Sequence, residues 1–302
     1  MIKIPGIHHV TAICGPPQTN VDFYVGTLSQ RLVKKTVNFD DPGTYHLYYG
    51  DRDGNPGTIL TFFPFANAGP GRAGTGLAEA VSYGLGKSAF DATRERLSHT
   101  GTHFVGPAER FGEAVMVLHD PDGLPVELVC TTPAMEGAFH GITLRLADPA
   151  PTMRLLTDHF GYRHVGEENT DGLVRHRLQA DGDGPGAVID IRHEPGGERG
   201  IQGAGSIHHV AFRARTKEEQ LAWREQLSSA GFQVTPVIDR QYFDAIYFTE
   251  PGGVLFEIAT DPPGFAVDES ADSLGEALKL PPRYEEYRER IEQVLPPLKV
   301  PA

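Results

Sequence analysis

GIHHVTAI at Gly6–Ile13 and SIHHVAFR at Ser206–Arg213 are the two stretches that decide how this chain reads. Each carries Ile-His-His-Val between apolar flanks, the pattern of a short buried strand. Burying an imidazole pair twice in one local context is costly unless something inside binds it. A strand alternates its faces, so one histidine of each pair, His9 and His209, is expected to face a shared interior, and the other, His8 and His208, to face the helix layer behind. A third stretch, PGGVLFEIAT at Pro251–Thr260, reads as a turn entering an apolar strand with one carboxylate, Glu257. Two imidazoles and a carboxylate form a mononuclear metal set, and with coordination positions left open they point first to non-haem Fe(II), with Mn(II) as the substitute.

The two His-His stretches lie 200 residues apart, since 209 − 9 = 200, and the chain between them repeats one plan. In the first unit IHHVTAIC precedes a helical stretch, PPQTNVDFYVGTLS, and then QRLVKKTVNF, TYHLYYGD and GTILTFFPF read as strands. The fourth unit runs SIHHVAFRA, helix TKEEQLAWREQLSSAG, then FQVTPVID, DAIYFTE and GGVLFEIAT; its helix has Thr216 at the cap, acids in the first turn and Gly231 at the stop. Two weaker units, beginning LAEAVSYGL and HGITLRLAD, keep the same order. The chain is therefore expected to be α+β: four βαβββ modules at 5–66, 76–132, 137–195 and 204–262, in halves 1–133 and 134–302, with a helical tail over 263–302. Overlaying the last strands without gaps puts Glu127, Asp190 and Phe62 opposite Glu257. On the first strands Ala80 and Gly141 stand opposite His9 and His209. Module one is thus expected to pair with module four around a metal, with Phe62 as an apolar fourth position, and module two with three around a degenerate cup. Glu127 and Asp190 read as solvated strand residues, and the scattered His46, His103, His119, His164 and His193 as surface or turn residues.

Composition narrows the partners. The 302 residues carry a net charge of −13, which argues against a nucleic-acid surface, since phosphate binding needs clustered Lys and Arg, and leaves a small aromatic substrate unhindered. Cys14 and Cys130 are the only cysteines, without paired-cysteine metal spacing, and no stretch approaches the roughly 18 apolar residues of a membrane span. The opening MIKIPGIHHV lacks a signal-type apolar run, so a cytoplasmic protein is expected, with homo-oligomerisation left open.

These motifs resemble the vicinal oxygen chelate superfamily of glyoxalases, fosfomycin and bleomycin resistance proteins and extradiol dioxygenases. More narrowly, IHHVT, YHLYYGD..GNPGTILTFFPF, ERFGE, PGG.LFE and the tail DESADSLGEALKLPPRYEEYRERIEQVLPPL look like the ring-cleaving dioxygenases of para-hydroquinones. The resemblance implies that the modules pair into two open-barrel cups and that His9, His209 and Glu257 ligate Fe(II). It further implies that Arg240 in DRQYF and Tyr247 in AIYFTE stand beside the reacting ring as catalytic groups, and that Thr11 belongs to the site. Together with Phe62, His8 and His208, Thr11 makes the candidate substrate contacts. Dioxygen and a small dihydroxylated aromatic are the implied partners. The rivals are a glyoxalase-like isomerase or thiol transferase, which adds a fourth protein ligand, and a resistance protein that sequesters an aromatic compound.

Overall fold

The computed structural model describes every residue except 1, 136, 171, 182, 183 and 302. Four modules follow one another. The first is β1 (Ile7–Cys14), α1 (Pro17–Val21), β2 (Arg31–Val37), β3 (Tyr45–Gly50) and β4 (Ile59–Pro64); the second is β5 (Leu77–Leu85), α2 (Lys87–His99), β6 (Val105–Arg110), β7 (Glu113–His119) and β8 (Pro125–Cys130). The third is β9 (Phe139–Leu146), α3 (Ala150–Arg154), β10 (Arg163–Thr170), β11 (Leu173–Gln179) and β12 (Val188–His193); the fourth is β13 (Ser206–Ala214), α4 (Lys217–Ser229), β14 (Ile238–Asp239), β15 (Phe243–Thr249) and β16 (Leu255–Pro263). A short helix, α5 (Arg288–Val294), lies in the tail.

The strands form two eight-stranded sheets, ordered β14-β15-β16-β13-β1-β4-β3-β2 and β10-β11-β12-β9-β5-β8-β7-β6. Each is a curled half-barrel built from two modules meeting along their first strands, so modules one and four share one sheet and modules two and three the other. Within a module the first strand runs parallel to the last, β1 to β4 and β13 to β16, which requires the helix as crossover. α4 shows why its sequence folds so: Thr216 caps it by accepting from the Glu219 amide, and Trp223 and Leu227 are buried, the indole 5.3 Å from the Phe160 ring.

Two expected elements come out differently. FQVTPVID contributes only Ile238–Asp239 to the sheet, because Pro236 supplies no amide hydrogen to a ladder. The amphipathic tail helix begins as a 3₁₀ stretch, Pro282–Tyr287, and becomes α-helical only over Arg288–Val294, stopping before Pro296; Ile291 is the residue it buries. No helix among the described residues is long and apolar enough to cross a membrane.

The central strand pair departs from plain alternation. Ile7 pairs with Phe212 and His9 with Ala211, so His8 is an extra residue on β1; Thr11 pairs with His209 and Ala12 with Ile207, so His208 is extra on β13. A bulge inserts one residue opposite one partner and turns neighbouring side chains toward the same side. The second sheet bulges at the corresponding places, Glu79 on β5 and His140 on β9.

Candidate metal centre

Both bulges shape the site. His8 Nδ1 lies 3.0 Å from His9 Nδ1, and His208 Nδ1 lies 2.8 Å from His209 Nδ1, so the first histidine of each pair does not face the helix layer as strict alternation requires. His208 lines the cavity over the site, while His8 is buried behind His9 against the Phe243 ring. His8 is therefore not a wall of the cavity. In each Nδ1 pair one ring must donate and the other accept. If His9 and His209 donate, their Nε2 atoms keep free lone pairs.

Those Nε2 atoms converge. His209 Nε2 lies 2.9 Å from Glu257 Oε2, His9 Nε2 3.6 Å from the same oxygen, and the two Nε2 atoms 3.4 Å from each other. All three residues are buried, and neither Glu257 oxygen receives a well-oriented hydrogen bond despite the 2.9 Å approach. Buried acceptors that face one another without a proton between them want a cation. Ligands about 2.1 Å from one ion, 90° to 120° apart, lie roughly 3.0 to 3.6 Å from one another, close to the 2.9, 3.4 and 3.6 Å found here. The residues present fit the metal their types imply; His9, His209 and Glu257 form such a group among the described residues. Burial would raise the Glu257 carboxyl, but His9 and His209 hold it well below the usual carboxylate range. Burial pushes His209 down, with Glu257 opposing.

Around the three donors lies a cavity of about 190 Å³. Tyr247 stands directly across the ladder from Glu257, and its hydroxyl accepts from Arg240 Nε at 3.2 Å. Burial, then Glu257, raises the Tyr247 phenol well above its ordinary value, so it stays protonated. Arg240 also donates through Nη1 to Asp40, 3.1 Å away, tying the rim of module four to that of module one. Phe63, Phe65 and Phe243 supply aromatic walls, and Thr11 opens on the cavity.

Phe62 does not. It is fully buried between Tyr24 and Tyr49, at 4.7 and 5.9 Å, and the residue in the Glu257 position is Thr61: Thr11 pairs with Thr61 as Ala211 pairs with Glu257. The overlay of the last strands without gaps missed this because the turn before β4 is one residue shorter, and a one-residue slip exchanges faces.

Thr61 leads to a residue the sequence reading placed at the surface. Its hydroxyl donates to Thr11 Oγ1 at 3.0 Å, so His46 Nε2, 2.8 Å away, donates to Thr61 and His46 Nδ1 accepts from the Tyr48 hydroxyl at 2.8 Å. The Thr11 hydroxyl hydrogen is left to point at whatever occupies the cavity. Burial, then His9, lowers His46 well below its ordinary value, which keeps the ring neutral and the chain directional. The signal was the spacing of His46 and Tyr48, two apart on one strand face.

In the second sheet Ser82 pairs with Glu127 and Thr143 with Asp190, so these carboxylates occupy the Glu257 position while Ala80 and Gly141 occupy those of the histidines. They are buried and ion-paired, not solvated: Arg177 grips Asp190 through Nε at 2.8 Å and Nη2 at 3.0 Å, and Arg110 binds Glu127 at 2.8 Å. Guanidiniums stand where the first cup would hold a metal.

The family model described as "Glyoxalase/Bleomycin resistance protein/Dioxygenase superfamily" matches residues 6–128 and 138–258. The chain is 48% identical to "Putative ring-cleaving dioxygenase MhqO" of Bacillus subtilis (strain 168), over 99% of this chain and 98% of that one. It is 32% identical to "Chlorohydroquinone/hydroquinone 1,2-dioxygenase" of Sphingobium indicum, over 96% and 95%. A crystal structure titled as a "putative dioxygenase" from Bacillus subtilis superposes with a TM-score of 0.93 at 46% identity, covering 100% of this chain and 99% of that one.

Proposed function

This chain belongs to the glyoxalase/bleomycin resistance protein/dioxygenase superfamily, and from that premise we propose that it is an Fe(II)-dependent ring-cleaving dioxygenase of para-hydroquinones or related dihydroxylated aromatics. One observation carries the reading: two imidazoles and one carboxylate converge without a fourth protein ligand among the described residues, because Thr61 holds the fourth strand position and its hydroxyl is engaged by His46 and Thr11. That leaves coordination positions free, as a ring-cleaving enzyme needs and a four-ligand isomerase does not. Fe(II), held by His9, His209 and Glu257, supplies the one-electron redox chemistry that lets an aromatic diol react with dioxygen.

The protein's own groups do the rest. Phe63, Phe65 and Phe243 hold the ring flat against apolar surface. The Thr11 hydroxyl, oriented through Thr61, His46 and Tyr48, donates to a substrate oxygen. Tyr247, protonated and held by Arg240, is the proton donor beside the ring, and Arg240 steadies negative charge there. Asp40 already occupies one Arg240 nitrogen, so a ring carboxylate gains little from that arginine and neutral hydroquinones fit better. His208 remains on the cavity wall as a substrate contact. The same reading makes dioxygen and a small aromatic the partners and the cytoplasm the location.

The test is anaerobic loading with Fe(II), then oxygen-electrode assays across hydroquinones and catechols. Equal consumption of dioxygen and hydroquinone is expected. Iron-loaded protein that takes up no oxygen with any diol, yet isomerises a thiol adduct, would overturn the reading.

A further inference from the structure

The cup of modules two and three holds a cavity of about 340 Å³, lined by Arg110, Arg175 and Arg192 with Glu79 and Glu127, by His119, and by the apolar Ala80, Val117, Pro125 and Leu173. It lies over Glu127, one of the two carboxylates that correspond to Glu257, yet its chemistry is inverted, since cationic side chains rim it. Each of the three guanidiniums gives only one nitrogen to a described residue. Arg110 Nη1 binds Glu127 at 2.8 Å, Arg192 Nη1 binds Glu79 at 2.6 Å, and Arg175 Nη1 binds Thr143 Oγ1 at 3.1 Å. A guanidinium carries five N–H donors in a fixed fork, so most of the donors around this cavity have no protein acceptor among the described residues.

Arg175 is the sharpest case. It is 7% exposed, its Nε is buried without a partner, and its nearest carboxylate, Asp190 at 3.7 Å, is already gripped from the other side by Arg177. A buried cation with unfilled donors is costly in a folded protein, and an anion that accepts from it recovers that cost.

We propose that this cavity is a binding site for a small organic monocarboxylate, separate from the metal centre. The charge on its walls sets the class: three guanidiniums against two carboxylates, with the His119 imidazole counted as neutral, leave one positive charge, which a monoanion balances and a dianionic phosphate overshoots. A planar carboxylate matches the fork of a guanidinium. The apolar patch of Val117, Leu173 and Pro125 takes a hydrocarbon body, which an inorganic anion lacks. A divalent cation is repelled by the arginines. The proposal does not depend on the reaction assigned to the first cup.

Isothermal titration of the full chain with benzoate, and separately with inorganic phosphate, tests it. Glu257→Gln serves as the background that removes the first cup's charge set. Saturable one-to-one benzoate binding is expected in the wild type and in Glu257→Gln. Arg192→Gln, which alters a partly exposed residue, should weaken it about tenfold, and Arg175→Met should weaken it more, in line with loss of charge-assisted hydrogen bonds. If Arg175→Met does not fold, as judged by circular dichroism, Arg192→Gln decides alone. No saturable benzoate binding up to about 10 mM, binding that Glu257→Gln abolishes but Arg192→Gln leaves intact, or phosphate binding tighter than benzoate would each overturn the proposal.

Discussion

Glu257 is fully buried with two acceptor oxygens and no well-oriented donor, so its stability in place depends on the imidazoles and on a cation. Glu257→Ala should reduce metal affinity by more than about 100-fold, beyond the loss that follows when an outer partner of a ligand is removed, as read by competition with a chromophoric chelator. The histidines set a pH dependence. Burial, with His209 next, lowers His208 to about 4, and His8, His46 and His209 are lowered too, each chiefly by burial. The unfolded chain takes up protons at these imidazoles near pH 6.5 while the folded protein does not. Stability should therefore fall as pH drops from about 6.5 toward 4, and Glu257, whose carboxyl is held low, adds a loss of the same sign below its unfolded value. A urea midpoint for the metal-free protein at pH 4.5 equal to that at pH 7 would contradict this. Thr61→Val removes the hydroxyl between His46 and Thr11 without touching a ligand, so kcat/KM should drop about tenfold with metal content unchanged. His9, His209 and Glu257 were legible because one motif occurs twice and a lone acid interrupts an apolar strand. His46 was not, since the only mark in TYHLYYGD is Tyr48 two residues on, and the residue that ties the pair to the site, Thr61, lies on another strand.

At the level of strands, register decides what each side chain can do. The sequence shows period-two alternation and therefore the strands, but a bulge is one unpaired residue in a ladder, and nothing in IHHV separates a bulged strand from a straight one. That is why His8 and His208 were read onto the wrong face, and why the turn before β4, shorter by one residue, exchanged Phe62 for Thr61. The corrected register makes a prediction. Thr61→Glu places a second carboxylate where Glu257 stands in module four, so the variant should bind Zn(II) more tightly, by competition titration, and consume less oxygen with hydroquinone than the parent. The second sheet resists the converse change. A Cβ at Gly141 would lie 2.1 Å from the Val188 carbonyl oxygen, so β12 must shift before any side chain fits there. Ala80→His with Gly141→His should therefore give a destabilised protein with no second tightly bound metal, whereas two metals per chain by elemental analysis would refute the account.

Across the whole molecule the metal centre is assembled from the two ends of the chain, with His9 and Glu257 brought together only when modules one and four share a sheet. The tail completes that assembly. Beyond β16, Phe265 stacks on Tyr242 at 5.1 Å, and Asp268 and Glu269 meet Lys34 Nζ at 2.6 and 2.5 Å. Lys34 is fully buried, so without these two carboxylates it becomes a buried cation with no counter-charge, a loss of about 3 to 5 kcal/mol. Further along, Arg283 and the Tyr284 hydroxyl donate to the Phe39 carbonyl at 2.9 and 2.7 Å, fixing the segment whose Phe39 and Asp40 form one wall of the cavity. None of these tail residues touches the three donors. Tyr284→Phe together with Arg283→Met should thus loosen the wall without disturbing the metal: KM for hydroquinone rises several-fold, while kcat and iron content change little. Lys34→Met separates the two effects, because it removes the buried charge along with its need for Asp268 and Glu269, and should cost less stability than the paired change Asp268→Asn with Glu269→Gln. A tail that served only as a passive cover would give equal losses for both, measured as urea midpoints, and an unchanged KM in the Tyr284 and Arg283 variant.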